Sequence, residues 1–167
     1  GRSGFLFPPQ GLELGNSFFA KENTSRPGRC YMGVFASALP SHVTAQIRVV
    51  SALLQSVKSI TVKDPQLLDP FWTLMVYFNS IRELGHAATL IRADIREHMN
   101  AMWDRQGLTK DVSPEALKER RFINRDLELT SRIQSNQIPE ILAELFNTLG
   151  PKQGYSVVDI CLATNMI

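Results

Sequence analysis

Three short polar clusters follow apolar runs in this sequence, and their side chains are of types that bind phosphate oxygens. They are Asn79-Ser80, then Thr130, Ser131 and Arg132, and finally Thr164-Asn165. At the start of a helix, backbone N–H groups lack partners and the helix dipole is positive, so such positions attract phosphate. Asn79-Ser80 has this form, although helix capping alone explains the pair equally well.

A metal site is the next candidate, because Asp94, Glu97 and His98 are spaced so that adjoining turns of one helix bring them together. The alternative is a solvated helix face, on which Arg92 and Arg96 offset the two carboxylates. No further ligand can be identified from another element. We therefore predict a solvated face, with no metal ligand, and rank a metal-dependent nuclease last among the functions considered.

The sequence does not indicate nucleophilic catalysis or the binding of nucleotide phosphates by a glycine-rich loop. Cys161 lies in an apolar run, where a thiol is usually a buried hydrophobe with a raised pKa. The sequence has no GxSxG elbow, no GxxxxGK[ST] phosphate loop and no GxGxxG fingerprint. We predict no catalytic residue in this chain.

A basic cluster lies in the second half of the chain and is interrupted by acids. It is compatible with a nucleic-acid patch, but equally with a helix face held by local ion pairs. Its basic members are Lys118, Arg120, Arg121, Arg125 and Arg132, and its acidic members are Glu119, Asp126 and Glu128.

Hydrophobic periodicity predicts alternating strands and helices. This order favours an α/β fold with a parallel sheet and crossover helices, in which ligands bind at the carboxyl ends of the strands, where the three polar clusters lie. The run 73–78, apolar on both faces, is typical of a central strand. The predicted elements are a strand at 30–36, a helix at 43–57 capped by Ser41, a strand at 73–78, a helix at 81–102, a helix starting at Ser113-Pro114, a strand at 127–130, a helix at 138–149 and a strand from about 156.

Composition fits one ordinary domain. The 167 residues are 44% apolar, with a net charge of +2, and two cysteines without metal-ligand spacing. No apolar run is long enough to span a membrane, so we expect a cytoplasmic protein that does not bind membranes. Residues 1–28, rich in Gly, Pro, Asn and Ser, are predicted to be an entry segment or linker. The lack of an initiator Met and the apolar end at Ile167 indicate a fragment.

With these elements in place, the sequence resembles the second RecA-like domain of superfamily 2 helicases. Residues 73–85 (TLMVYFNSIRELG) are similar to motif IV, 128–132 (ELTSR) to the next strand and loop, and 159–167 (DICLATNMI) to the opening of motif V. The combination is most similar to the helicase component of DISARM-type phage-defence systems. The resemblance covers residues 29–167, with a helical insertion at about 95–125.

The resemblance implies an ATP-driven translocase that holds a DNA or RNA backbone without reading its sequence. By position, Asn79 and Ser80 would contact phosphate, Thr130, Ser131 and Arg132 would line the strand groove, and Thr164 with Asn165 would supply the motif V contact. ATP and Mg²⁺ would be cofactors of the full-length protein, bound with a first RecA-like domain, and other defence-system proteins are further partners. The rival hypothesis is a non-catalytic α/β module that binds a protein through its helices between Arg92 and Arg121.

Two parts of the family pattern are missing here. The sequence ends before the remainder of motif V and before motif VI, which carries the arginine finger in this family. The phosphate loop of the first domain is missing as well. We therefore expect the chain alone to bind no ATP tightly and to be inactive as an ATP hydrolase.

Overall fold

A computed structural model describes residues 16–17, 19–61, 64–105, 119–150 and 157–164. The chain divides into two compact units, Gly1–Phe35 and Ala36–Ile167. In the first unit, an antiparallel bridge joins Asn16 to Lys21. The predicted helix start at Ser113-Pro114 lies outside the described residues.

The strand predicted at 30–36 is wrong, because these residues lie outside any strand. Tyr31, Met32 and Phe35 are 85%, 83% and 92% exposed. The run has strand composition, but β-propensity is chiefly a preference for a half-buried, paired surface. Without a neighbouring strand or a face to cover, the described segment gains nothing from a regular extended conformation.

The first helix, α1 (His42–Ser59), forms as predicted. Ser41 caps it, because the backbone N–H of Thr44 donates to Ser41 Oγ at 3.1 Å. Its inward face buries Ala45, Ser51, Leu54 and Val57. A short helix, α2 (Pro65–Leu68), and a 3₁₀ turn (Asp69–Phe71) then lead into the sheet.

Within the described residues, the sheet has three parallel strands in the order β1-β3-β2. They are β1 (Leu74–Phe78), β2 (Asp126–Leu129) and β3 (Ile160–Thr164). The predicted parallel α/β architecture is thus confirmed, and it is consistent with an incomplete RecA-like fold. In register, Leu74 pairs with Ile160 and Phe78 with Thr164 on one side, and Leu129 pairs with Ala163 on the other.

The central strand is β3 and not, as predicted, the strand at 73–78. Every residue of β3 is buried, whereas β1 alternates and leaves Tyr77 64% exposed. The apolar run of β1 suggested two covered faces, but in the part of the chain that the structure describes, helices cover the face that Leu74, Val76 and Phe78 present and leave Tyr77 exposed. β3 also begins later than predicted, at Ile160.

The long predicted helix is present, but a one-turn π segment interrupts it. α3 (Ile81–Leu90) continues through the π turn (Ile91–Ile95) into α4 (Arg96–Arg105). A π turn holds one residue more than an α turn, so it rotates the residues that follow around the helix axis. Met99 and Trp103 consequently face the core in place of the predicted Met102, which is only half-buried.

Two apolar clusters fill the two sides of the sheet. On one side, α1, α3, the π turn and α4 pack against the sheet, and Leu84, Ile91 and Ile160 lie in the cluster between them. On the other side, α5 (Ile138–Leu145) packs its Ile141 and Leu145 against β2 and β3. The helices therefore fix the strands from both sides, which sets the positions of the loops at the strand ends.

Cys161 in β3 is a structural thiol, as predicted. It is 0% exposed, and burial raises its pKa from 9.0 to about 11. The thiolate, which is the reactive form, is therefore rare near neutral pH. We expect iodoacetamide to alkylate the native chain once, at the exposed Cys30, and to alkylate both cysteines in urea. Mass spectrometry of native and denatured samples checks this, and rapid native labelling of Cys161 would contradict it.

The same pKa shift sets the direction of a pH effect on stability. The folded state holds the Cys161 proton more tightly than the unfolded state does. The contribution of this thiol to the free energy of unfolding is therefore complete below about pH 9. That contribution is lost as the pH rises toward about 11.

Candidate nucleic-acid interface

The described residues of the three predicted polar clusters lie at one edge of the sheet. The strands are parallel, so their carboxyl ends lie at the same edge. Phe78, which precedes Asn79, is in register with Thr164, and Leu129, which precedes Thr130, is in register with Ala163. The end of β3 therefore lies between the other two loops, so the order β1-β3-β2 brings the three clusters together.

Asn79 and Ser80 are both exposed and lie at the start of α3. The backbone N–H of Glu83 donates to Ser80 Oγ at 3.2 Å, so the hydroxyl caps the helix. Capping leaves the hydroxyl proton of Ser80 available as a donor, because this contact uses Oγ only as an acceptor. Glu83 in the first turn adds a negative charge there, which opposes the binding of an anion.

Glu128 organises the loop after β2. Thr130 is 2% exposed, and its hydroxyl donates to Glu128 Oε1 at 2.7 Å. Arg132 donates to the same oxygen from Nε at 3.1 Å and pairs with it through Nη2 at 2.9 Å. The Arg132 N–H also donates to Thr130 Oγ1 at 3.3 Å. Ser131 and Arg132 remain exposed, so the loop presents a serine hydroxyl and a held guanidinium to solvent.

Thr164 ends the central strand and is only 2% exposed. Its Oγ1 is buried and has no hydrogen-bond partner among the residues that the structure describes. A buried hydroxyl of this kind costs free energy unless something satisfies it. Asn165, the last of the predicted contact residues, lies outside the described residues.

The described part of this edge is close to neutral. Arg82 and Arg132 contribute positive charge, while Glu83 and Glu128 contribute negative charge. An incoming phosphate would therefore compete with Glu128 for Arg132. That competition predicts a modest affinity that depends on the identity of residue 128.

The opposite, amino-terminal edge of the sheet contains an ion pair that was not predicted from the sequence. Arg121 Nη2 lies 2.8 Å from Asp159 Oδ1, and both side chains are almost fully buried. Asp159 Oδ2 accepts from the N–H groups of Asn124 at 2.7 Å and Arg125 at 2.9 Å. The Arg121 guanidinium lies 3.4 Å from the centroid of the Trp72 ring. The sequence signal for this ion pair was Asp159, a single acid inside the apolar run 157–163, since a buried charge requires a partner.

The basic cluster singled out in the sequence does not form one patch. Arg125 pairs with Glu144 on α5, Arg132 pairs with Glu128, and Arg121 is buried. Burial lowers the pKa of Arg121 to about 10, against the opposing effect of Asp159, so it stays protonated at neutral pH. Lys118 lies outside the described residues. The interpretation by local ion pairs thus fits Arg125 and Arg132.

A metal ion in a protein is held by a set of several converging donor side chains. Among the described residues, no group of three or more His, Cys, Asp and Glu side chains is arranged to hold a metal ion. Asp94, Glu97 and His98 do line one cleft of about 310 Å³, but Arg48 and Arg105 share it. Burial and these two arginines lower the pKa of His98. No helix of the described chain has the length and apolarity needed to cross a membrane.

A comparison with curated proteins relates the sequence to a much longer protein. It is 38% identical over 166 residues to the DISARM protein DrmA of Bacillus paralicheniformis. The alignment includes 96% of this chain but only 14% of that protein. No protein-family model matches the sequence.

Proposed function

We propose that this chain belongs to a DISARM-type phage-defence protein and holds the nucleic-acid backbone within an ATP-dependent helicase or translocase. The observation that carries the proposal is the convergence of Asn79-Ser80, Thr130–Arg132 and Thr164 at the carboxyl edge of a parallel sheet. Hydroxyl, amide and guanidinium groups donate hydrogen bonds to phosphate oxygens, which carry no base-sequence information. The similarity to DrmA supports the defence role.

In this proposal, ATP and Mg²⁺ would be bound together with a first RecA-like domain. ATP would supply the energy for movement along the strand, while the residues described here bind and orient the backbone. DNA or RNA, that first domain and other defence-system proteins are the proposed partners. The chain alone is not expected to hydrolyse ATP.

Fluorescence anisotropy with labelled single strands of oligothymidylate and oligouridylate tests the proposal. We expect binding that weakens as salt rises, because phosphate contacts release counterions. Replacing Arg132 with glutamine should reduce affinity about tenfold, the loss of one charge-assisted hydrogen bond. Asn79→Asp, which is nearly isosteric but adds a negative charge at the phosphate position, should also weaken binding.

The matched control is Arg29→Gln, which removes the same charge from an exposed segment of the other unit. It should leave affinity unchanged. If all three variants bind alike, or if the wild-type chain does not bind either strand at low salt, the carboxyl edge is not a backbone-binding site.

Glu128→Gln should have the opposite effect and strengthen strand binding several-fold. Glu128 accepts from both Thr130 and Arg132, so it holds the two donors away from a phosphate. The amide oxygen keeps a hydrogen bond to Thr130 but no longer attracts the guanidinium by charge. Combining it with Arg132→Gln should abolish the gain. A Glu128→Gln variant with unchanged or weaker affinity would show that Arg132 does not contact the strand.

The interaction-module alternative finds less support in the described helices. It requires an exposed apolar stripe between Arg92 and Arg121. In the described part of this range, the exposed face of α4 presents Arg96, Glu97, Asn100 and Asp104. Residues 106–118, where the rest of such a stripe would lie, are outside the described residues.

A further inference from the structure

A cleft at the amino-terminal edge of the sheet has no role in the function proposed above. It has a volume of about 290 Å³ and lies between α4 and the segment that leads into β2. The described residues that line it are Arg96, Met99 and Asn100 from α4, and Arg120, Arg121, Phe122, Ile123 and Asn124 from the segment.

Arg96 and Arg120 distinguish this cleft from the carboxyl edge, because neither is paired with a carboxylate in the described contacts, whereas Arg121 is paired with Asp159. Three of its described lining residues are arginines and none is Asp or Glu. Arg96 donates to the backbone carbonyl of Ile123 at 3.1 Å, and Arg120 donates to the side-chain oxygen of Asn100. Both acceptors are neutral, and the Arg120 guanidinium also lies 4.9 Å from the centroid of the Phe122 ring. In the described contacts, no carboxylate therefore offsets the charge of Arg96 or Arg120.

The third arginine holds donors that the described structure leaves unused. Arg121 is 2% exposed, and Asp159 and the Trp72 carbonyl engage its Nη2. Its Nε and Nη1 are buried and have no acceptor among the described residues. Unsatisfied buried donors of a charged group are costly, which makes an anion or an ordered water beside them favourable.

Hydrogen bonds hold the segment that leads into β2 in place without a ligand. Gln55 of α1 donates from Nε2 to the Glu119 carbonyl at 3.0 Å and accepts the Arg121 N–H at 3.1 Å. Asp159 holds Asn124 and Arg125 at the other end. Preorganised donors lose little entropy on binding, which favours a site over a loose basic surface.

We propose that this cleft binds a phosphoryl group, with Arg96 and Arg120 as the direct ligands and the unsatisfied Nε and Nη1 donors of Arg121 behind them. Paired guanidinium groups match the geometry of phosphate oxygens. Phe122 is 45% exposed, and Met99 and Ile123 give the cleft apolar walls, so a nucleoside attached to the phosphate has surface to contact. The site is independent of the carboxyl edge and lies at the opposite ends of the strands.

Titration of the ¹⁵N-labelled chain with inorganic phosphate, and separately with AMP, tests the cleft. We expect saturable shifts in the amide signals of residues 120–124. Arg120→Gln should weaken binding about tenfold, and Arg120→Lys should weaken it less, since the lysine keeps the charge without the fork. Arg29→Gln is the control of equal charge change and should bind as the wild type does.

The two ligands separate the sources of the phosphoryl group. Equal affinities identify a free-phosphate site, and clearly tighter binding of AMP identifies a nucleotide site. The absence of saturable shifts at 120–124 with both ligands, or equal affinity of wild type and Arg120→Gln, would overturn the proposal. Asn79→Asp, which tests the carboxyl edge, should leave these titrations unchanged, so the two proposals can fail separately.

Discussion

Replacing Asp159 with asparagine is expected to lower the free energy of unfolding by about 3–5 kcal/mol, the usual cost of breaking a buried ion pair by removing one partner. The carboxylate holds the Arg121 guanidinium and two backbone N–H groups at once. Asparagine keeps the shape and one acceptor oxygen, but it leaves the positive charge of Arg121 buried without a counter-charge. The segment before β2 would then lose its anchor to β3.

Urea denaturation followed by circular dichroism measures this effect. The control is Asp126→Asn, because Asp126 pairs with Arg92 at 3.4 Å and the arginine side chain is 70% exposed. An exposed pair of this kind contributes about 0–1 kcal/mol. A double-mutant cycle with Arg121→Met should show strong coupling to Asp159. Equal, small losses for Asp159→Asn and Asp126→Asn would contradict a structural role for the buried pair.

Leu54→Ala is expected to cost about 2–5 kcal/mol, which is typical of a leucine truncated in a packed core. Leu54 on α1 is 2% exposed and packs with residues of α3, the π turn and the sheet. The cavity would lie where α1 meets the helices that cover the strands. Loss of this contact should therefore loosen the whole layer on that side of the sheet.

Its neighbour Leu53 supplies a matched control on the same helix. Leu53 is 48% exposed, so Leu53→Ala removes the same atoms and changes stability by only about 0.5 kcal/mol. Both variants keep high helix propensity, since alanine is the strongest helix former. Thermal or urea midpoints that shift equally for the two variants would contradict the assignment of the inward face of α1.

The periodic elements of this fold could be predicted from the sequence. The spacing of apolar residues in α1, the Ser41 cap and the alternation of strands with helices were enough to indicate a parallel α/β sheet. The same logic placed the three polar clusters at one edge, and the register of β1 and β2 with β3 brings them together.

The features that depend on contacts distant in sequence were not predictable. The composition of residues 30–36 predicted a strand, yet nothing in the sequence specifies a partner strand for this segment. The central position of β3 depends on strand order, which periodicity does not encode. The π turn shifted the inward face of α4 from Met102 to Met99 and Trp103. The Arg121–Asp159 pair joins residues 38 positions apart in sequence, with only the isolated acid as a signal.

Mapping the strand-binding surface residue by residue tests the central claim most directly. In a titration of the ¹⁵N-labelled chain with a short oligothymidylate, we predict saturable shifts at 79–83 and 130–134 and at Thr164, all of which weaken as salt is raised. These shifts would place the backbone across the carboxyl edge of the sheet. Shifts confined to other surfaces, or no shifts at low salt, would contradict the claim that this edge holds a nucleic-acid strand.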